Sequence, residues 1–172
     1  MQRPLIISTS LRDASLSRVM AGQLALDYAA LGATPDEIDL REWPLPLCDG
    51  EAAYGDAKVG LLAKRIQAAG PIVVATPVYN YDVNAAVKNL IELTGNAWEN
   101  KIVGFLCAAG GSSSYMAVMA VANSLMLDFR CLIIPRFVYA VNGDFEKGQK
   151  CGAELTLRVR QFAEESLKIR RD

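Results

Sequence analysis

The sequence predicts an α/β fold, a parallel β-sheet with helices packed on both faces. Three observations predict it. Short apolar runs alternate along the chain with stretches whose apolar residues recur every three or four positions, the pattern of βαβ units. Two of the runs, PIVVAT (71–76) and KIVGFLC (101–107), are apolar nearly throughout, as strands covered on both faces are. The chain has 172 residues, 52% hydrophobic and 22% charged, which suits one domain (1–172) with a single sizeable core. There is no repeat, linker or low-complexity segment.

Taken in order, PLIIS (4–8) is the first strand. Leu16, Val19, Met20, Leu24, Tyr28 and Leu31 then fall on one face of a helix. EIDL (37–40) is the second strand, followed by a long, turn-rich segment at 41–56 and a helix at about 57–69. PIVVAT is the third strand, and Pro77 is expected to end it because proline cannot donate to a ladder. Val83, Ala86, Val87, Leu90 and Ile91 form the next helical stripe. KIVGFLC is the fourth strand, with a helix at about 113–127 after it, and CLIIP (131–135) is the fifth. Leu155, Val159, Phe162 and Ala163 mark a C-terminal helix, and the basic KIRR after it reads as a solvated helix end. In such a sheet a ligand binds beyond the carboxyl ends of the strands. That rule selects five loops: 8–17, 41–56, 76–84, 108–114 and 135–148.

Composition excludes several functions. A net charge of −1 provides no footprint for nucleic acid. No apolar run approaches the ~20 residues that span a bilayer, and MQRPLIISTS is too short in its apolar part for a signal peptide. The four cysteines form no CxxC pair, which suits a reduced, cytoplasmic setting. With no histidine, Ser-His and Cys-His catalysis are excluded and a transition-metal site is disfavoured. No side chain is assigned as catalytic and none as a metal ligand.

Two loops carry the chemistry. After the first strand, Ser8, Ser10, Ser15 and Ser17 offer hydroxyl donors, and Arg12 offers a cation beside a helix N-terminus, where free N–H groups favour an anion such as phosphate. The competing reading makes Ser15 a plain N-cap and pairs Arg12 with Asp13 in solvent. The loop is neither a GxxxxGK[ST] nor a GxGxxG loop, and it contains no glycine. After the third strand, Tyr79, Asn80 and Tyr81 suggest contact with a flat polar ring, or else two packing tyrosines and a turn asparagine. AAGGSSSY (108–115) permits close backbone approach at Gly110 and Gly111, or is an ordinary turn capped by Ser112 or Ser113.

These segments resemble the NADPH-dependent FMN reductase family. Thr9, Ser10, Arg12, Ser15 and Ser17 match that family's GSxRxxSxN-type loop. Pro77-Val78-Tyr79-Asn80, followed by Val87-Lys88-Asn89-Leu90-Ile91-Glu92, matches its PEYNxxxPxxLKNxID-type segment. Thr9 stands where the family usually has Gly, Val78 where it has Glu, Tyr81 where it has Gly and Asn84 where it has Pro. The resemblance implies a flavodoxin-like three-layer sandwich with five parallel strands in the order 2-1-3-4-5. It implies that Ser10, Arg12, Ser15 and Ser17 hold the phosphate of FMN. It implies that Pro77, Val78, Tyr79 and Asn80 border the isoalloxazine and that Gly110, Gly111 and Ser112 approach its pyrimidine side. Lys88 and Asn89 are then structural, holding the 76–84 loop, and Tyr81 adds bulk where nicotinamide would stack. The 41–56 loop reaches toward the flavin edge, or else tucks Trp43 and Leu45 onto the core.

The activity implied is hydride transfer from NADPH or NADH to FMN, and on to a quinone, azo, metal-oxyanion or flavin acceptor. An electron carrier or sensor without nicotinamide turnover is the alternative, and a fold that has lost FMN is a third reading. The helix YMAVMAVANSLML is apolar nearly all round, so one face is expected to meet another subunit; the resemblance also implies a homodimer or homotetramer.

Overall fold

The computed structural model describes residues 3–147 and 150–171; residues 1 and 2 of the N-terminal stretch and Gly148 of the last loop lie outside them. The chain order is β1 (Leu5–Ser8), α1 (Leu16–Ala30), β2 (Asp36–Asp39), α2 (Ala57–Ala68), β3 (Pro71–Tyr79), β4 (Asp82–Val83), α3 (Ala85–Thr94), β5 (Ile102–Ala109), α4 (Met119–Phe129), β6 (Leu132–Ile133), β7 (Val138–Val141) and α5 (Ala153–Ser166). A small hairpin, β8 (Phe145–Glu146) with β9 (Lys150–Cys151), precedes α5. The main sheet runs β2-β1-β3-β5, with β6 and β7 both on the outer side of β5, and every pairing but the β3–β4 hairpin is parallel. This is the flavodoxin-like order expected.

The two faces are set by the two-residue period of the strands. Leu5, Ile7, Ile72, Val74, Val103, Phe105 and Cys107 face α2, α3 and α4, where Trp98 and Leu125 complete a dry layer. Ile6, Val73, Ala75, Leu106 and Ala108 face α1 and α5, against Met20, Leu24, Tyr28, Val159 and Phe162. Continuous apolar strands are the consequence, because each residue meets one layer or the other. The periodicity read in α5 holds fully: Leu155, Val159, Phe162 and Ala163 are all buried.

Three expectations are corrected. Pro77 does not end β3, which continues to Tyr79 and pairs Pro77 with Ala108. The carbonyl of Ala75 accepts from Thr9 on the β1 side, so Pro77, two residues on, faces that same side, where β1 has already stopped. Its missing N–H therefore removes no ladder bond. The fifth strand is broken: only Leu132 and Ile133 of CLIIP pair, with the start of β5, and Val138–Val141 pairs with its end. Pro135, without an N–H, lies in the gap. Finally, the helix read at 113–127 opens with a 3₁₀ stretch, Ser112–Val118, before α4 proper.

Gly104, in the middle of β5, shows how closely α5 docks. A Cβ there would lie 2.5 Å from a ring carbon of Phe162 and 2.9 Å from Ile134. Both neighbours are buried, so Gly104→Ala is expected to destabilise the fold by about 1–3 kcal/mol. Urea unfolding should show a lower midpoint with an unchanged slope; an unchanged midpoint would mean that α5 yields freely.

Candidate functional site

β1, β3, β5 and β7 end along one edge, and the loops after them enclose a cavity of about 650 Å³, within the range of small-molecule sites. Ser10, Arg12, Ser15, Ser17, Pro77, Val78, Tyr79, Asn80 and Gly110 all line it. Ser8 does not: it is the buried last residue of β1, paired with Asp39 and Ala75. Gly111 and Ser112 lie next along the turn from Gly110 but outside the lining. Ala14, Leu16, Ala108, Ala109 and Asn142 also line the cavity and were not singled out from sequence. Asn142 follows β7, the strand half that the sequence pattern hid; the rule of carboxyl-end loops did select its loop.

The loop after β1 gathers polar groups that the protein itself leaves without partners. Ser15 caps α1, its Oγ accepting the Arg18 N–H at 3.3 Å and lying 3.0 Å from the Ser17 Oγ. Ser10 Oγ accepts the Arg12 N–H at 3.3 Å. One hydroxyl of the Ser15–Ser17 pair donates to the other, so its partner's proton and that of Ser10 are left over among the described residues. The N–H groups of Leu11, Asp13, Ala14, Leu16 and Ser17 find no protein acceptor among the described residues either. Those of Leu16 and Ser17 are the orphan donors of a helix start. Arg12 does not pair with Asp13, because Arg41 Nη1 holds the Asp13 carboxylate at 2.9 Å. Arg12 is exposed and its guanidinium has no acidic partner among the described residues. A buried row of hydroxyls, unpaired N–H groups and an uncommitted cation thus meet at one wall, so the phosphate-type reading is favoured over the plain N-cap.

Two departures from the family pattern prove to be one feature. Thr9 Oγ1 donates to Asn84 Oδ1 at 2.9 Å, and Asn84 Nδ2 donates to the Thr9 carbonyl at 2.8 Å. Thr76 Oγ1 lies 3.1 Å from the same Oδ1. All three residues are buried. The pair ties the loop after β1 to the start of α3 where a Gly and a Pro could make no side-chain bond. Each bond contributes about 1 kcal/mol net, and losing one partner strands the other at a larger cost.

The third-strand loop is a two-residue hairpin turn. Val78 pairs with Val83 and Tyr79 with Asp82, leaving Asn80 and Tyr81 at φ of 51° and 65°. A turn of this kind needs positive φ at both positions. Asn80 accepts that conformation readily, and a tyrosine does so at a cost. The usual family glycine at position 81 is thereby explained. Tyr81 is exposed beside Asn80 and does not line the cavity itself. The N–H groups of Asn80, Gly110 and Gly111 have no protein acceptor among the described residues. Tyr139 donates its hydroxyl to the Gly111 carbonyl and so fixes the glycine turn. Asp144 accepts the Val141 N–H at 2.7 Å and pairs with Arg158, which holds the loop carrying Asn142.

The 41–56 loop lies elsewhere. Trp43 and Leu45 pack on the core, with the Arg65 guanidinium 5.4 Å from the Trp43 ring, and no residue of this loop lines the cavity. Asn89 secures it, accepting the Cys48 N–H at 2.8 Å and donating to the Pro46 carbonyl at 2.9 Å. Asn89 therefore holds the 41–56 loop and not the 76–84 loop, while Lys88 makes an exposed ion pair with Glu92. The four cysteines are free, and burial pushes Cys107 up to about 12 and Cys131 and Cys151 up to about 11, away from the reactive thiolate form. No group of metal-ligating side chains occurs among the described residues, and no helix there is long and apolar enough to cross a membrane.

Comparison with known proteins agrees with this geometry. The profile of the NADPH-dependent FMN reductase family matches residues 3–146. An NAD(P)H-dependent FAD/FMN reductase of Geobacillus thermodenitrificans is 27% identical over 130 residues, covering 73% of this chain and 70% of its own. An FMN-dependent NADH:quinone oxidoreductase of Psychromonas ingrahamii is 32% identical over 104 residues, and the match spans 52% of this chain and about half, 50%, of that relative's length. Among solved structures, an NADH:FMN oxidoreductase in its apo form superposes with a TM-score of 0.80 at 14% identity, covering 100% of this chain and 92% of that one.

The strained turn yields a measurable expectation. Tyr81→Gly should raise stability by up to about 1 kcal/mol in urea unfolding, the left-handed penalty less the extra freedom of glycine in the unfolded chain. A loss of stability instead would show that the tyrosine ring is held by packing that outweighs the strain.

Proposed function

The chain belongs to the NADPH-dependent FMN reductase family, and we propose that it carries two electrons from NADPH or NADH to a small-molecule acceptor, acting as one flavodoxin-like unit. The acceptor class is a quinone, an azo compound, a metal oxyanion or a free flavin. FMN, when bound, supplies the redox chemistry, and the protein binds and orients it.

The residues present fit that cofactor. Its phosphate end suits the wall formed by Ser10, Arg12, Ser15 and Ser17 with the N–H groups beside them. Its ring suits the opposite walls, Pro77–Asn80 and Ala108–Gly110, where small or flat residues and close backbone leave room for a planar group. The unpaired N–H groups of Asn80, Gly110 and Gly111 stand ready to hold negative charge on a reduced ring system. The single observation that carries the reading is that Arg12, which has no acidic partner among the described residues, lines one cavity with the buried hydroxyls of Ser10, Ser15 and Ser17 and with the unpaired N–H groups of Ala14, Leu16 and Ser17. The unpaired cysteines support a reducing, cytoplasmic setting.

We assign the outer face of α4 to a second copy of this chain. Met116, Met119 and Met126 are half exposed and Leu127 is 76% exposed, and no charged residue occurs from Ala108 through Leu127. Such a face loses no charge hydration when it meets its own copy. Sedimentation should give a dimer or tetramer, and Leu127→Glu should shift it toward monomer; a monomeric parent protein would contradict the assignment.

The activity is tested by the visible spectrum. After incubation with FMN and removal of excess, the protein should stay yellow and bleach on anaerobic addition of NADPH or NADH. Colour that only dithionite removes would make it a carrier or sensor, and no retained colour would overturn cofactor binding.

A further inference from the structure

The loop after β1 has no glycine, yet six of the N–H groups from Ser10 to Ser17 have no protein acceptor among the described residues. Something must hold them in place. One side chain does so, and it was not among the residues read from sequence. Arg18, in the first turn of α1, points its guanidinium back along the loop. Its Nη2 donates to the Ser10 carbonyl at 2.6 Å, and its Nη1 to the Arg12 carbonyl at 2.8 Å and the Asp13 carbonyl at 3.2 Å. Asp39, at the end of β2, anchors the same guanidinium: Nε donates to one carboxylate oxygen at 2.7 Å and Nη2 to the other at 3.3 Å.

A trans peptide unit sets its C=O and N–H in opposite directions, and no cis bond occurs among the described residues. Turning the carbonyls of Ser10, Arg12 and Asp13 toward Arg18 therefore turns the N–H groups of Leu11, Asp13 and Ala14 away from it. Those three are among the N–H groups without a protein acceptor. Asp39 neutralises Arg18, so the effect is one of direction more than of net charge. Without Asp39, a cation in the first turn of a helix would also be disfavoured by the dipole.

We propose that Arg18, held by Asp39, is the positioning residue of the phosphate loop: it turns the loop's free N–H groups away from itself and so presents that of Ala14, which lines the cavity, to the anion. It replaces by a side-chain grip the freedom that glycine gives other phosphate loops. The proposal rests on the reading of this cavity as the FMN site.

The test is a pair of fluorescence titrations, with FMN and with riboflavin, which lacks the phosphate. They are run on the parent protein, Arg18→Lys and Arg18→Gln, with folding checked by near-UV circular dichroism. Lysine keeps the charge but cannot span three carbonyls and a carboxylate. Both variants should lose FMN affinity by about tenfold or more, the worth of one to two charge-assisted hydrogen bonds, while riboflavin affinity moves by no more than about twofold. Equal losses for both flavins, or an unchanged FMN-to-riboflavin ratio, overturn the role. Retention by Arg18→Lys with loss in Arg18→Gln reduces Arg18 to a charge and overturns it too. Should one variant not fold, the other is judged by the same ratio. A parent protein that binds riboflavin as tightly as FMN overturns the phosphate reading itself, and the positioning role falls with it.

Discussion

In a parallel sheet covered on both faces the interior strands satisfy their backbone in the ladder until they stop, and in this chain β1, β3 and β5 stop, with β7, along one edge. The chain must there turn from strand to helix several times within a small area, and each turn releases N–H groups that neither ladder nor helix can use. Hydroxyls, a glycine and a cation line the cavity at that edge together with such N–H groups. The apolar layers beneath it, with Ile72, Val74 and Phe105 on one side and Val73, Leu106 and Phe162 on the other, hold the strand ends fixed. The loops inherit their positions from the core.

Fixed strand ends do not by themselves fix loops, and two polar devices complete the work. The buried Thr9–Asn84 pair joins the exits of β1 and β3, so the wall carrying the serines and the wall carrying Tyr79 and Asn80 keep their spacing. Arg18, Asp39, Arg41 and Asp13 form a chain of ion pairs along the loop's outer side, with charges that sum to zero. Burial alone would raise Asp39, but its hydrogen bonds from Arg41 and Arg18 hold it below its ordinary value, so the pairing persists at neutral pH. Arg12 is left as the loop's uncommitted cation, which is why charge accounting singles it out from three arginines close together in space.

Much of this was legible in the sequence where a physical period or a steric rule governed the outcome. PIVVAT and KIVGFLC could only be strands buried on both faces, and α5 followed its stripe residue by residue. The phosphate-side residues Ser10, Arg12, Ser15 and Ser17 were readable because a helix N-terminus has known needs. What was hidden depended on partners distant in sequence. Whether Pro77 ends a strand depends on which side β1 occupies. FVYAV at 137–141 looked like loop because Pro135 intervenes, and Asn142 was missed with it. Nothing local to Arg18 marks it out; its partner Asp39 lies 21 positions on. Asn89 likewise bonds to Pro46 and Cys48, over 40 positions away.

The central claim is that free N–H groups after β1 receive the phosphate of a flavin nucleotide. Amide ¹H–¹⁵N correlation spectra recorded through a titration with FMN address those groups one at a time. The account predicts large shifts for Ala14, Leu16 and Ser17, with smaller ones at Asn80 and Gly110 and none near Trp43 or Asn89. With riboflavin the Asn80 and Gly110 shifts should persist while those of the loop shrink. Shifts centred on the groove beside Trp43, or loop shifts equal for both flavins, would contradict it.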